Sequence, residues 1–149
     1  MAPLIIGLFA GFFLVLGFER WSGRAEGSLA RAGRSGLAVL FLMTGVMHFI
    51  SIEPMARMVP PPLPPVPTVL ATGVLEILGA VGLLIPRWSR TASICLFAFL
   101  VAVFPANVYA ALNETGMGSH VEGTSYLWQR APFQIFLLAW TWFFGIRRP

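Results

Sequence analysis

Five side chains in this sequence combine reactive chemistry with an apolar setting: His48, Glu76, Asn107, Arg130 and Gln134. A carboxylate is costly in the middle of an apolar run, where lipid supplies no hydrogen bonds, so such a residue is a functional candidate by default. Glu76 stands inside GVLEILGAVGLLIPR (Gly73–Arg87), the longest uninterrupted setting of this kind. Imidazole and carboxylate together can hold and pass a proton near neutral pH, and amide and guanidinium groups can orient a polar ligand. Counted along helices at about 1.5 Å per residue, His48 lies roughly 6 Å, Asn107 roughly 8 Å and Glu76 roughly 12 Å from the same outer end of their segments. Gln134, with Arg130 nearer the surface, falls in the matching half of the last segment. Polar groups at one depth in lipid should face one another.

Two readings follow. In the first, the layer is a hydrogen-bonded clamp that fixes helix register. In the second, it lines an outward-facing polar pocket with Glu76 at its floor. Both expect the Glu76 carboxyl to reach His48, Asn107 or Gln134 directly or through one water. His48 is the nearest expected cation, with Arg130 the alternative.

Other chemistries find less support. Met43, Met47, Met55 and Met58 gather around His48, a soft donor set suited to Cu(I), but Met also fills gaps between helices and no second His lies nearby in sequence. No metal site is expected. Cys95 is the single cysteine, which excludes an internal disulfide and a two-cysteine redox centre. No phosphate-binding loop or nucleophile–base pair occurs.

The elements that must position these residues are membrane helices. Of the 149 residues 57% are hydrophobic and 11% charged, and the mean hydropathy is +0.79. A soluble domain of this size cannot hide so much apolar surface. The expected fold is all-α, a single polytopic transmembrane bundle over residues 1–149 with spans near 2–18, 36–52, 68–85, 91–112 and 127–145. The first is read as an uncleaved span, because its arginines follow the apolar run instead of preceding it. Without polar side chains, it is expected to be peripheral. Its Gly7 and Gly11 form a GxxxG pair, a candidate contact for a protein partner or a second copy. Ala98, Ala102, Ala106 and Ala110 recur every fourth residue and suit close helix contact. Pro105 should free the Val101 carbonyl beside Asn107.

Between spans two and three, seven prolines between Pro54 and Pro67 predict an ordered, non-helical cap over the outer face. A polar loop over 113–127 carries Glu114, His120 and Glu122, and Asn113-Glu114-Thr115 fits a glycosylation acceptor.

The net charge of +4 comes from ten arginines against six glutamates. Arg20, Arg24, Arg31, Arg34, Arg87, Arg90, Arg147 and Arg148 fall on one side of the five spans, and Arg57 and Arg130 on the other. The positive-inside rule then places the N-terminus outside and the C-terminus in the cytoplasm of an inner membrane. The arginines serve orientation, and no nucleic-acid partner is expected.

Several stretches taken together are similar to the DoxX-like family of small membrane proteins: GVMHF (Gly45–Phe49) with the following proline-rich loop, Gly73–Arg87, VAVFPANVYAA (Val101–Ala111) and RAPFQ (Arg130–Gln134). The similarity spans about Arg34 to Trp142. It implies a four-helix membrane bundle, to which this sequence adds one N-terminal span. For some members it implies association with quinone-linked sulfur or thiol redox enzymes; distant eukaryotic relatives look like assembly chaperones. Without a cysteine pair, direct dithiol chemistry by this chain is not expected. The expected function is an accessory subunit of a membrane redox system, more a binding protein than an enzyme by itself, with a quinone-like ligand in the pocket. The alternative is a non-enzymatic assembly protein whose polar layer is structural.

Overall fold

A computed structural model of the protein describes residues 2–24, 26–115 and 123–147. His120, Glu122 and Arg148 lie outside the described residues. The described chain is helical: α1 (Ala2–Trp21), α2 (Ser28–Ile50), the short α3 (Ile52–Ala56), α4 (Pro65–Leu84), α5 (Ser89–Leu112) and α6 (Leu127–Thr141), which runs into a π-helical segment, Trp142–Arg147. Among the described residues, α1, α2, α4 and α5 are long and apolar enough to cross a membrane, and the chain is a helical membrane bundle. Large apolar side chains such as Leu14, Ile50, Leu78 and Ile135 point outward, as they should where lipid is the solvent.

The core draws on all five long elements. Leu8, Leu37, Leu40, Phe41, Ala80, Leu83, Leu96, Leu100, Phe133 and Leu137 form one buried cluster. Leu8 is fully buried, so α1 is more than a peripheral addition. It lies at an edge of the bundle, yet its inner face is part of the core. Phe9 and Phe12 meet Trp140 edge-on, with ring centroids 5.6 and 5.4 Å apart. The Trp140 indole N–H also donates to the Gly33 carbonyl at 3.0 Å, tying α6 to α2.

The Gly7/Gly11 pair is used inside the chain. A Cβ on Gly11 would stand 3.1 Å from the Ser35 carbonyl oxygen and 3.2 Å from the Gly36 Cα, and one on Gly7 would strike Met43. The motif therefore draws α1 onto α2, and its close-approach face is already filled. Conversely, Ala98 and Ala102 of the α5 alanine stripe are exposed. Packing buries Ser93, Leu96, Leu100 and Asn107 of α5 instead, and of the stripe only Ala110, at its outer end, joins them.

Helix limits shift where local chemistry extends them. The α2 helix starts at Ser28 instead of near 36, because a two-pronged ion pair holds its first turns: Arg31 donates from both Nε and a terminal nitrogen to the Glu19 carboxylate, each at 2.6 Å, and again to the Glu26 carbonyl at 2.9 Å. The proline-rich stretch is not wholly non-helical either. Pro54 lies within α3, and Pro65 and Pro67 open α4. Proline fits a first helical turn because the N–H it lacks would find no intrahelical partner there. The last span is divided: α6 has 15 residues, and six more follow in the π-helical segment. Gly145 in that segment packs directly on Ser93 of α5.

Candidate functional site

The site is built on the crossing of α2 and α4. Gly45 and Gly73 meet there backbone to backbone. A Cβ on Gly45 would come within 2.8 Å of Ile77 and 3.2 Å of the Glu76 Cβ, and one on Gly73 within 2.7 Å of the His48 Cβ. Each glycine precedes a candidate residue by three positions, so each lies on the same helix face as its partner. The close crossing thus delivers His48 and Glu76 to the same place. Sequence reasoning missed the role of these two glycines, although both open the motifs GVMHF and GVLEI. The available signal was the shared three-residue offset from the ionisable residue.

His48 Nδ1 and Glu76 Oε2 are 3.9 Å apart. That is an ion-pair separation and too long for a direct hydrogen bond between these two atoms. The reason is local. His48 Nδ1 lies 2.9 Å from the Thr44 carbonyl oxygen, one turn earlier. A carbonyl only accepts, so Nδ1 carries the proton and is engaged by its own helix. This tautomer leaves Nε2 as the acceptor when the ring is neutral. The Thr44 hydroxyl stands beside the Glu76 carboxyl, while donating to the Leu40 and Phe41 carbonyls at 3.2 and 3.3 Å. Glu76 faces the interior of the bundle, with 7% of its surface exposed.

Arg130 enters from α6. Its charge acts on Glu76 and on Tyr126, and its guanidinium carbon lies 5.8 Å from the Phe133 ring centroid. Burial pushes the Tyr126 phenol above the ordinary tyrosine range, and the Arg130 charge works against that shift. Among the described residues, three buried polar atoms of the polar layer have no hydrogen-bond partner: Glu76 Oε2, Arg130 Nε and Gln134 Oε1. One is a donor and one an amide acceptor, and the third accepts or donates according to its protonation. Most buried polar groups in proteins are paired, and one without a protein partner marks strain, an ordered water or a bound ligand.

The remaining two candidates bond to α5. Gln134 donates to the Leu100 carbonyl at 2.6 Å across the α5–α6 interface, one residue before the Val101 carbonyl that Pro105 was expected to free. Asn107 donates to Val103, one turn back in its own helix, at 3.0 Å. The predicted layer therefore divides. His48, Glu76, Thr44 and Arg130 form an electrostatic centre, and Asn107 and Gln134 satisfy the backbone of α5 around its internal proline. No cluster of three or more His, Cys, Asp or Glu suited to a metal occurs among the described residues.

Thr115 donates to the Arg57 carbonyl at 3.2 Å, joining the segment after α5 to the segment after α3.

Residues 37–145 match a family described as Domain of unknown function (DUF8561). The matched stretch contains all five candidate residues and leaves out α1. No curated protein and no solved structure matches the chain.

Proposed function

The chain belongs to the DUF8561 family, and we propose that this member is a DoxX-like accessory protein of a membrane redox system that binds a hydroxylated, quinol-like ligand between α2, α4 and α6. The carrying observation is the trio of buried atoms without a partner among the described residues, Glu76 Oε2, Arg130 Nε and Gln134 Oε1. A phenolic hydroxyl both donates and accepts, so one ligand head can answer an arginine donor and an amide or carboxylate acceptor together. The Phe133 ring, over which the Arg130 guanidinium lies, offers an aromatic neighbour to the ring body of such a ligand. His48 supports access from its side, since its side chain is 17% exposed against 9% for Glu76. In this reading Glu76 accepts a proton from the bound hydroxyl, and Arg130 favours the resulting charge. The bilayer is the inner membrane, with the N-terminus outside, as the arginine distribution supports.

A second reading is favoured by the bonds of Gln134 and Asn107 to α5 carbonyls. In it the layer is a clamp, and the protein assists the assembly of a partner. Thermal unfolding of the detergent-purified chain with a short-chain ubiquinol separates the two. Under the binding reading the ubiquinol raises Tm of the wild type and leaves Glu76→Gln unmoved, although that variant folds. An unmoved wild type sinks the quinol reading and leaves the clamp.

A further inference from the structure

Away from the polar centre, a cavity of about 430 Å³ opens between α4 and α5 toward the lipid. Leu75, Leu78, Ile85, Cys95 and Phe99 wall it, and Trp88 stands at one end. Its floor is the close α4–α5 contact, where a Cβ on Gly79 would meet Leu96 at 2.6 Å and one on Gly82 would meet Ala92 at 2.8 Å. From Leu75 to Ile85 the groove follows about 15 Å of helix. That is about half of a hydrocarbon core near 30 Å thick, the depth of one leaflet.

The mouth of the groove differs from its walls. The α4–α5 turn carries Arg87 and Arg90, both exposed, with no acidic residue between Ile77 and Asn113. Trp88, between them, is 54% exposed, and its amphipathic ring is suited to the headgroup level. An apolar slot one leaflet long, opening under two exposed cations with no acidic partner among the described residues, has the layout of a phospholipid: chain below, phosphate above.

We propose that this groove is a binding site for an anionic glycerophospholipid, with one acyl chain lying along Leu75–Ile85 and the headgroup phosphate held by Arg87 and Arg90. Arg87 and Arg90 act as the headgroup contact, and the groove sets the depth of the chain. Two arginines near an anionic headgroup predict a preference over a zwitterionic lipid of at least roughly tenfold.

The test uses the full chain in nanodiscs of equal phosphatidylglycerol and phosphatidylcholine, with retained lipid counted by native mass spectrometry after transfer to detergent. Wild type is expected to retain phosphatidylglycerol by roughly tenfold over phosphatidylcholine. The double variant Arg87→Gln/Arg90→Gln, altered only at exposed positions, is expected to lose that preference. Cys95→Trp, which fills the groove from an exposed position, is expected to lose bound lipid with both arginines in place; Leu78→Trp serves if that variant is not monodisperse. Equal retention of the two lipids by wild type overturns the proposal. So does a preference that survives the arginine changes, or retention that survives groove filling. Stabilisation by inorganic phosphate equal to that by phosphatidylglycerol reassigns the arginines to a free anion and overturns it. Efficient oxidation of Cys95 to a disulfide between two copies in the same nanodiscs shows a second chain in the groove, with the same consequence.

Discussion

Gly45 and Gly73 face each other across the α2–α4 crossing, and the relation is reciprocal: a Cβ on either would lie 3.2 Å from the carbonyl oxygen of the other. His48 and Glu76, each three residues further along its helix, are brought together by that contact. The distance between the ionisable groups is therefore set by two residues without side chains.

Replacing Gly45 or Gly73 with Ala should destabilise the bundle by about 1–3 kcal/mol, the usual cost of forcing added atoms into a packed interface. Thermal unfolding in detergent reads the loss. Gly17, which meets nothing within 4 Å, is the control, and its Ala variant should unfold at or above the wild-type temperature. A Gly73→Ala protein as stable as wild type would show that the helices cross less closely than described.

Gln134→Leu removes the donor that reaches the Leu100 carbonyl at 2.6 Å. Interhelical hydrogen bonds in membranes are worth on the order of 0.6–2 kcal/mol, and a loss of about that size is expected. Asn107→Leu should cost less, because the Val103 carbonyl it serves lies in its own helix. Urea-free unfolding in mixed detergent, comparing both variants with wild type, checks the order.

Trp140→Phe keeps an aromatic ring against Phe9 and Phe12 but deletes the N–H donated to Gly33. It should loosen α6 on α2 by about 1 kcal/mol while α1 stays docked. Trp140→Ala also removes the ring and should cost on the order of 3–5 kcal/mol. Limited proteolysis after Trp21 then distinguishes them, with cleavage accelerated only in the Ala variant.

Arg31→Gln should lower the unfolding temperature through loss of the ion pair that opens α2. The gap from wild type should narrow at high ionic strength, since Arg31 is well exposed and salt screens such pairs. Glu19→Gln should behave alike, and the double variant should be no worse than either single one. Additive losses would mean that the two residues act separately.

Reporter fusions test orientation. Fusions in the turn before α2 and in the α4–α5 turn should report the cytoplasm, and fusions near Val59 the opposite side. The reverse pattern would leave the fold intact and remove the topological part of the proposal.

What composition and spacing determined was the set of helices and the identity of their polar residues. Apolar runs long enough to span lipid must be helical, since lipid offers the backbone no other partner. Glu76 in such a run must turn inward, and it does. Local sequence also carried the arginines of the turns, but it set the prolines apart from α4, whose first turn they form. Tertiary packing alone decided which helix faces touch. Two small-residue motifs of similar appearance met opposite fates: Gly7/Gly11 is spent on α2, while Ala98 and Ala102 stay exposed to lipid. Periodicity marks a face as able to approach closely, but a partner with matching relief must be presented, and that depends on helices distant in sequence. For the same reason the layer predicted at one depth divides in two. Depth along a helix is a count of residues, whereas whether Glu76 meets His48, Asn107 or Gln134 depends on rotation about each helix axis. That rotation is set by the contact of Gly45 with Gly73 and by the Gln134 bond to Leu100.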